Sequence, residues 1–208
     1  MTSIRCSTHP LALDKLGRLR ERSTDVETFR RLVHELSFFL GVECTGDLTW
    51  TDRMIETPLA ATAVARLTES VVLVPVLRAG LGMLDGMLQL ISNASVGHIG
   101  LFRDPVTLSP VEYYVNTPPQ LADCVVIVLD PMLATGGSAV AAISALKERG
   151  AAHLKLVSII AAPEGVRKVQ TVHPDVQMYA VALDEGLNDH GYIVPGLGDA
   201  GDRIFGTV

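Results

Sequence analysis

The sequence predicts an α/β protein with a mostly parallel, twisted sheet that carries helices on both faces. Short apolar runs alternate along the chain with segments of helical pattern, which is typical of βαβ units. The runs are nearly continuous in apolar residues, as expected for strands that are buried on both faces. Of the 208 residues, 48% are hydrophobic and 19% are charged, so the chain can bury a substantial core.

The N-terminal part of the chain is predicted to be helical. Residues 11–41 contain two helical segments, of which the second begins with the capping-box pattern Thr24-Asp25-Val26-Glu27 and ends at Gly41. Its predicted buried face consists of Val26, Phe29, Val33, Leu36 and Leu40. Residues 47–57 are a weaker strand candidate, because charged residues interrupt them.

Apolar runs predict the strands of the sheet. In chain order they are residues 71–77, 96–102, 111–115, 124–130, 154–162 and 176–183. A helical segment follows the first run as far as about Leu90, and two further helices are expected within residues 136–150 and 164–174. Pro75 removes a hydrogen-bond donor from the first run, so we expect that strand to be an edge strand or an irregular one.

The C-terminal stretch is predicted to be ordered, irregular and packed against the core. It contains glycines at positions 191, 196, 198, 201 and 206. Tyr192, Ile193 and Phe205 lie among these glycines, and a free tail would have little use for such residues.

Charge and residue usage argue against several classes of function. The net charge of −6 is opposite to that of a protein that coats nucleic acid. No apolar run has the length of a membrane span. The N-terminal residues carry scattered charges and lack the apolar core of a signal peptide. We therefore expect a cytoplasmic protein without a membrane partner. The three cysteines show no CxxC spacing and the six histidines are dispersed, so neither a disulfide framework nor a protein-only metal cage is expected.

The junction between residues 124–130 and the next helix carries the predicted chemistry. Ligands of an open parallel sheet bind beyond the carboxyl ends of its strands, and Asp130 stands at such an end. The Thr-Gly-Gly-Ser turn at 135–138 follows at a helix start, where unpaired amides favour an anion. A carboxylate beside that anion suits the hydroxyls of a ribose, so a sugar phosphate is expected. The tetrapeptide alone is equally consistent with an ordinary connection between strand and helix.

Two other nucleotide-binding motifs fail on spacing. A Walker loop requires GxxxxGK[ST], and the turn at 135–138 contains no lysine. The segment Gly80-Leu81-Gly82-Met83-Leu84-Asp85-Gly86 reads GxGxxxG and therefore does not match the dinucleotide fingerprint GxGxxG.

The segment D-P-M-L-A-T-G-G-S at 130–138 resembles the phosphoribosyl pyrophosphate loop of type I phosphoribosyltransferases, in the form found in the uracil phosphoribosyltransferase family. The resemblance extends through PVLRAGLGM, LFRDP, PVEYY, AAPEGV, HPDV and GLNDHGYIVPGLGDAGDRIFGT, of which the last is the most specific. It implies one domain over residues 1–208, with a core at about 60–185 and a C-terminal base-binding hood at about 186–208. It also implies a protruding β-arm at 103–114.

The resemblance implies a reaction of pyrimidine salvage. The 5-phosphoribosyl group of phosphoribosyl pyrophosphate would be transferred to N1 of uracil, giving UMP and pyrophosphate. Catalysis is assigned to Asp130, Arg78 and Arg103, with the two arginines at the pyrophosphate end. The implied donor-binding residues are Arg78, Arg103, Asp130, Pro131, Met132, Leu133, Ala134, Thr135, Gly136, Gly137, Ser138 and Asp199. The implied uracil-binding residues are Ile193, Gly198, Asp199 and Ala200.

The resemblance also implies Mg²⁺, a homo-oligomer of two or more copies and, as in some relatives, a GTP effector. Asp130 is followed by Pro131, where many type I enzymes have a second acid. We therefore expect Mg²⁺ to be held mainly by the substrate pyrophosphate and water, with no dedicated protein ligands. Val106 and Ser109 stand where the family suggests glutamates, a difference that bears on subunit contacts more than on chemistry.

Simpler interpretations exist for single residues and for the whole chain. Arg78 would also serve to cap a strand end, Arg103 to pair with Asp104, and His190 to stabilise the C-terminal segment rather than act as a base. A regulatory protein of this fold that binds RNA is disfavoured by the acidic charge balance. A phosphoribosyltransferase for another base is disfavoured by the C-terminal motif.

Overall fold

The structure is a computed structural model that describes residues 4–103 and 110–207. Its helices are α1 (Pro10–Arg20), α2 (Val26–Cys44), α3 (Leu81–Leu90), α4 (Gly137–Glu148), α5 (Pro163–Val172) and α6 (Ala200–Phe205). Its strands are β1 (Arg5–Cys6), β2 (Trp50–Glu56), β3 (Ala61–Leu67), β4 (Ser70–Leu77), β5 (Ser95–Val96), β6 (His98–Arg103), β7 (Pro110–Asn116), β8 (Cys124–Leu129), β9 (Met132–Leu133), β10 (His153–Val157), β11 (Ile160–Ala161), β12 (Gln177–Ala180), β13 (Ala182–Leu183), β14 (Gly186–Leu187) and β15 (Ile193–Val194).

The main sheet confirms the predicted α/β architecture. Its strand order is β1-β12-β10-β8-β4-β6-β7, with β5 also paired to β4. All of these strands run parallel except β7, which is antiparallel to β6. The carboxyl ends of β4, β8 and β10 therefore meet at one edge of the sheet.

Helices cover both faces of the sheet. Leu73 and Ile127 belong to a buried cluster that they share with α1, α2, α3 and α6. Their neighbours Val74 and Val128 point to the opposite face, where α4 and α5 cover a second buried cluster. This alternation follows from the two-residue period of a strand, and burial on both faces explains the continuously apolar runs. No helix within the described residues has the length and apolar character needed to cross a membrane.

Of the two alternatives predicted for the strand of Pro75, the edge strand is wrong and the irregular strand is correct. Strand β4 lies in the interior of the sheet, between β8 and the pair β5 and β6. The N–H of Gly97 donates to the carbonyl of Leu73 at 2.9 Å, so the main-chain hydrogen-bonding groups of Leu73 face β5 and β6. Main-chain groups alternate between the two neighbouring strands, so the nitrogen of Pro75 faces the same side. Pro75 falls where β5 ends and β6 begins, a place where the ladder is already interrupted.

The second N-terminal helix differs from its prediction at both ends. Asp25, rather than Thr24, is the N-cap, and its side chain accepts from the N–H of Thr28. At the other end the helix continues past Gly41 to Cys44. A Cβ on Gly41 would lie 3.0 Å from the Leu90 Cδ2 and the Met87 Sδ. The glycine therefore permits close packing of α2 on α3 instead of ending the helix.

Two hairpins extend the fold. The pair β6 and β7 forms the predicted arm, but its tip at 104–109, with Val106 and Ser109, lies outside the described residues. The pair β2 and β3 forms a second hairpin. Only its first strand was predicted, because the sequence ATAVARL of β3 is neither a continuous apolar run nor a strict alternation.

Candidate active site

The Thr-Gly-Gly-Ser turn lies at the carboxyl edge of the sheet, between β9 and α4. Gly136 is the N-cap of α4 and has a φ of +76°, a left-handed conformation that glycine adopts without cost. A Cβ on Gly136 would lie 2.9 Å from the carbonyl oxygen of Gly165, and one on Gly165 would lie 2.5 Å from that of Ala134. Helix α5 therefore packs directly on the turn, and both glycines are required by that contact.

An open cavity adjoins this turn. It has a volume of about 190 Å³ and is lined by Asp130 and by every residue from Met132 to Ala139. A Cβ on Gly137 would reach only ordinary van der Waals distance from its neighbours, the nearest at 3.7 Å, so the backbone of this cavity wall can be approached by a ligand. Unpaired amides at the start of a helix, in a cavity of this size, are suited to a phosphate group.

Asp130 directly follows β8 and lines the same cavity. Its Oδ1 accepts from the N–H of Met132 at 3.4 Å. Burial raises the pKa of this carboxyl to about 6, against the smaller opposite effect of that hydrogen bond. Asp130 is half-buried, and hydroxyl donors of a ligand would stabilise its ionised form, so the site favours a ligand that offers them.

A second cavity of about 270 Å³ lies beside the first. It is lined by Met132, Ala134, His190, Gly191, Tyr192, Ile193, Gly198 and Asp199. Met132 and Ala134 line both cavities. Two ligand groups bound in them would therefore be held next to each other across a common wall.

The main chain of Ile193 faces away from its hairpin partner. The N–H of Asn188 donates to the carbonyl of Tyr192 at 2.9 Å, and Leu187 pairs with Ile193. Alternate residues of an antiparallel pair point towards the partner strand, so the N–H and C=O of Ile193 point to the other side. Gly196 and Gly198 have φ values of +64° and +81°, and they turn the chain back along this wall.

A buried ion pair holds the same segment in place. Asp184 is 9% exposed, and its two oxygens accept from the Nη1 and Nη2 of Arg20, at 2.8 and 2.5 Å. Asp184 also accepts from the N–H of Gly196 at 2.9 Å, while Arg20 donates to the carbonyl of Gly196 at 2.6 Å. The N–H and the C=O of Gly196 are thus both held by hydrogen bonds. Sequence reasoning missed this pair, since 164 residues separate its members.

Arg203 is a second structural residue that sequence reasoning missed. Its guanidinium donates to the carbonyls of Leu19, Glu21 and Leu197 and stacks 4.4 Å from the ring centroid of Phe29. It therefore ties the end of α1 and the start of α2 to the C-terminal segment. A single arginine in a glycine-rich stretch gives no sequence signal of such a role.

The predicted uracil and donor residues of the C-terminal segment separate into two groups. Ile193, Gly198 and Asp199 line the second cavity, whereas Ala200 is buried at the first position of α6. Asp199 is also the N-cap of α6, where its side chain accepts from the N–H of Asp202 at 2.9 Å. Its carboxylate therefore has a structural role in addition to its place in the cavity wall.

Arg78 lies in the loop between β4 and α3. Strand β4 is the neighbour of β8, which Asp130 follows. A Cβ on Gly80 would lie 2.4 Å from the carbonyl oxygen of Leu129, so this loop packs against the end of β8. Arg78 is exposed, its guanidinium lies 5.9 Å from the ring centroid of Phe205, and the peptide bond that precedes it is cis. Arg103 ends β6, beyond β4; its side chain lies outside the described residues.

Of the two remaining residues, Pro131 lies outside both cavities and His190 lines the second one. Pro131 is buried and its carbonyl accepts from the N–H groups of Ile159 and Ile160, so it supports the loop instead of lining a cavity. His190 lines the second cavity and is exposed.

Comparison with known proteins assigns the chain to a family. A family model described as uracil phosphoribosyltransferase matches residues 6–207. The curated uracil phosphoribosyltransferase of Brevibacillus brevis is 54% identical over 208 residues, which cover all of both chains. The chain belongs to the uracil phosphoribosyltransferase family. This membership confirms the resemblance of the segment at 130–138 and favours it over the two competing functions.

Solved structures show the same fold. A protein from Aquifex aeolicus superposes with a TM-score of 0.93 at 38% identity, and 98% of each chain is covered. A hypoxanthine-guanine phosphoribosyltransferase from Bacillus anthracis superposes with a TM-score of 0.53 at 13% identity, over 76% of this chain and 80% of the other. The second likeness concerns the fold alone. It confirms the type I phosphoribosyltransferase fold for this uracil phosphoribosyltransferase family member.

Proposed function

We propose that the two adjoining cavities hold the two substrates of a uracil phosphoribosyltransferase reaction. The chain is a pentosyltransferase that forms UMP and pyrophosphate from uracil and phosphoribosyl pyrophosphate. In this proposal the turn at 135–138 binds the 5-phosphate, and the second cavity binds uracil. The observation that carries it is the wall of Met132 and Ala134 common to both cavities, which would place the base next to the ribose.

The reaction needs no side-chain nucleophile. The bond from C1 of the ribose to the pyrophosphate oxygen breaks, the bond from C1 to N1 of uracil forms, and the N1 proton passes to solvent. Holding both reactants in line supplies much of the acceleration. Asp130 would accept from the ribose hydroxyls, and Arg78 and Arg103 would stabilise the negative charge that grows on the departing oxygens. Asp199, which lines the second cavity, would contact phosphoribosyl pyrophosphate.

The residues present fit a Mg²⁺ ion that arrives with the substrate. Within residues 4–103 and 110–207 no group of three or more His, Cys, Asp or Glu side chains is arranged to hold a metal. Mg²⁺ is commonly bound by one or two carboxylates together with substrate phosphates, and Asp130 is the carboxylate among the described residues that line the cavity at the turn. Bound there, the ion would neutralise charge on the pyrophosphate.

The proposed function is tested by assaying purified protein for pyrophosphate release with a panel of bases. We expect release with uracil and phosphoribosyl pyrophosphate, dependence on Mg²⁺ with loss of activity in a chelator, and no release with adenine, guanine or hypoxanthine. Equal release with a purine base would contradict the assignment of the second cavity.

Asp130→Asn should lower activity and raise stability. It weakens hydrogen bonds from ribose hydroxyls by about 1.5–3 kcal/mol, which is roughly a tenfold to hundredfold loss in kcat/KM for the donor. The pKa of Asp130 is about 6 in the folded chain against an ordinary 3.8, so folded stability is lost as pH rises from about 4 to about 6, and the full cost is present above pH 6. The substitution should therefore raise Tm at pH 8, and the gain should vanish below about pH 4, where both states are protonated.

The pH dependence of kcat/KM distinguishes titration of Asp130 from titration of the substrate phosphates. For the wild-type chain, kcat/KM should fall as pH decreases through about 6, since Asp130 becomes protonated. Substrate phosphates also titrate near 6, so any decrease that persists in Asp130→Asn belongs to the substrate. Identical profiles for the two proteins would remove Asp130 from its proposed role.

The exposed hairpin supports the proposal of a homo-oligomer. A two-stranded hairpin alone is marginally stable in water, yet β2 and β3 expose Trp50, Met54 and Leu67 at 61%, 66% and 57%, and Leu59 in the turn at 96%. Burial against a second copy would remove this apolar surface from water. Sedimentation should show a dimer or larger assembly that the double substitution of Trp50 and Met54 by serine weakens. A monomeric wild-type chain would contradict the proposal.

Two expectations, a GTP effector and a cytoplasmic location, stay predictions. A GTP effector is checked by measuring the rate at subsaturating donor with and without GTP. A cytoplasmic location is checked by fractionating cells and following the protein by immunoblot. Binding of RNA is not expected for a chain of net charge −6.

A further inference from the structure

A lysine that the sequence analysis did not consider reaches the phosphate turn from helix α5. A Cβ on Gly136 would lie 3.2 Å from the Cβ of Lys168, and a Cβ on Gly137 would lie 3.7 Å from the Nζ of Lys168. The stem of Lys168 therefore crosses the turn at Gly136, and its ammonium group ends beside Gly137. The contact follows from the packing of Gly165 on Ala134, which sets α5 against the turn.

The ammonium group of Lys168 has no acidic partner in the described part of the chain. The described ion pairs join Lys15, Arg20, Arg31, Lys147, Arg149 and Lys155 to carboxylates, and Lys168 is not among them. The Oγ1 of Thr135, another residue of the turn, would lie 3.8 Å from the same Cβ position on Gly137, so the ammonium group lies beside the side of the turn that Gly137 and Thr135 form. An exposed cation here adds a full positive charge to the partial charges of the α4 amides.

We infer that Lys168 binds the 5-phosphate of phosphoribosyl pyrophosphate and of UMP. The inference rests on the phosphate site proposed above for the turn at 135–138. The 5-phosphate does not change its charge during the reaction, so the contact stabilises ground state and transition state equally. Its loss should therefore raise the KM for the donor and leave kcat unchanged.

The test compares Lys168→Met with Arg167→Met. Arg167 is the adjacent exposed cation on α5, so both variants lose one positive charge from the same helix. The probes are UMP and uridine, which differ by the phosphate. We expect Lys168→Met to weaken UMP binding about tenfold, as for an exposed charge-assisted contact, and to leave uridine binding unchanged. Arg167→Met should change UMP binding by less than about twofold, and Lys168→Arg should retain most of it.

Two outcomes would overturn the inference: equal UMP affinity in the Lys168→Met and Arg167→Met variants, or an equal loss of UMP and uridine binding in Lys168→Met. Gly137→Val tells this failure apart from failure of the proposed site. It places a branched side chain where an amide would meet phosphate. The nearest atoms to the new Cβ are the ends of two side chains, Lys168 Nζ at 3.7 Å and Thr135 Oγ1 at 3.8 Å, so the KM for the donor should rise steeply without loss of folding. If Gly137→Val raises that KM and Lys168→Met does not, only the role of the lysine is wrong. If neither variant changes it, the phosphate site itself is misplaced.

Discussion

Uracil should be used about 10⁴ times more efficiently than cytosine, measured as kcat/KM at saturating phosphoribosyl pyrophosphate. Uracil presents acceptor, donor and acceptor at O2, N3 and O4, and the outward N–H and C=O of Ile193 can pair with adjacent groups of this set. Cytosine replaces the donor and one acceptor by their opposites. Each unsatisfied partner costs about 1–3 kcal/mol, and sites built for such bonds reject analogues by about 10⁴ or more.

Substitutions in the same wall identify the groups that read the base. Gly198 has a φ of +81°, so Gly198→Ala shifts the main chain and should reduce the preference for uracil. Ile193 is 4% exposed; Ile193→Val trims the side chain, keeps the main chain and should leave the preference intact. Efficiencies for uracil and cytosine within tenfold of each other in the wild-type enzyme would contradict readout by the main chain.

Asp184→Ala should lower the unfolding free energy by at most about 3–5 kcal/mol, the usual range when one partner of a fully buried ion pair is removed, because the side chain of Arg20 stays 22% exposed. It leaves both the guanidinium of Arg20 and the N–H of Gly196 without their acceptor. Because Gly196 lies between the cavity residues Ile193 and Gly198, the KM for uracil should rise more than the KM for the donor. Thermal denaturation and steady-state kinetics check the two effects.

Glu185 supplies the control for Asp184. It is the next residue, it is exposed, and Glu185→Ala removes the same charge from the same segment. A Tm that falls equally in the two variants would show that charge, rather than the pairing with Arg20, stabilises the segment. An unchanged KM for uracil in a folded Asp184→Ala protein would show that the pair supports the fold without positioning the base cavity.

Sequence reasoning succeeded where a single physical rule decides the structure. The continuous runs around Val74 and Val128 predicted strands buried on both faces, and the turn at 135–138 predicted a helix start, which α4 confirms. It failed where a partner distant in sequence decides. Pro75 is tolerated in an interior strand because of the break between β5 and β6, and Gly41 is explained by Leu90 and Met87.

The site shows the same division. Asp130 and the Thr-Gly-Gly-Ser turn were predicted together because their chemistry is local to one strand and one helix; the structure places them around one cavity, and their binding roles stay predictions. Arg20 and Lys168 were missed because they lie on α1 and α5. The sequences of these helices predict helical structure but give no indication of contact with the site. The roles assigned to Arg78 and Arg103 stay predictions, since the structure places the first at the carboxyl edge of the sheet and describes only the main chain of the second.

The outward main chain of Ile193 bears on how the base preference of this enzyme could be changed. If a main-chain N–H and C=O read the base, exchanging one side chain for another leaves the reading groups in place, so substitutions alone would seldom produce a new preference. A change in chain length acts differently. Deleting one residue between Asn188 and Tyr192 would shift the register of β14 and β15 by one and turn the N–H and C=O of Ile193 towards the partner strand. Libraries that vary loop length in this hairpin are therefore better placed to yield altered specificity than libraries that vary residue type.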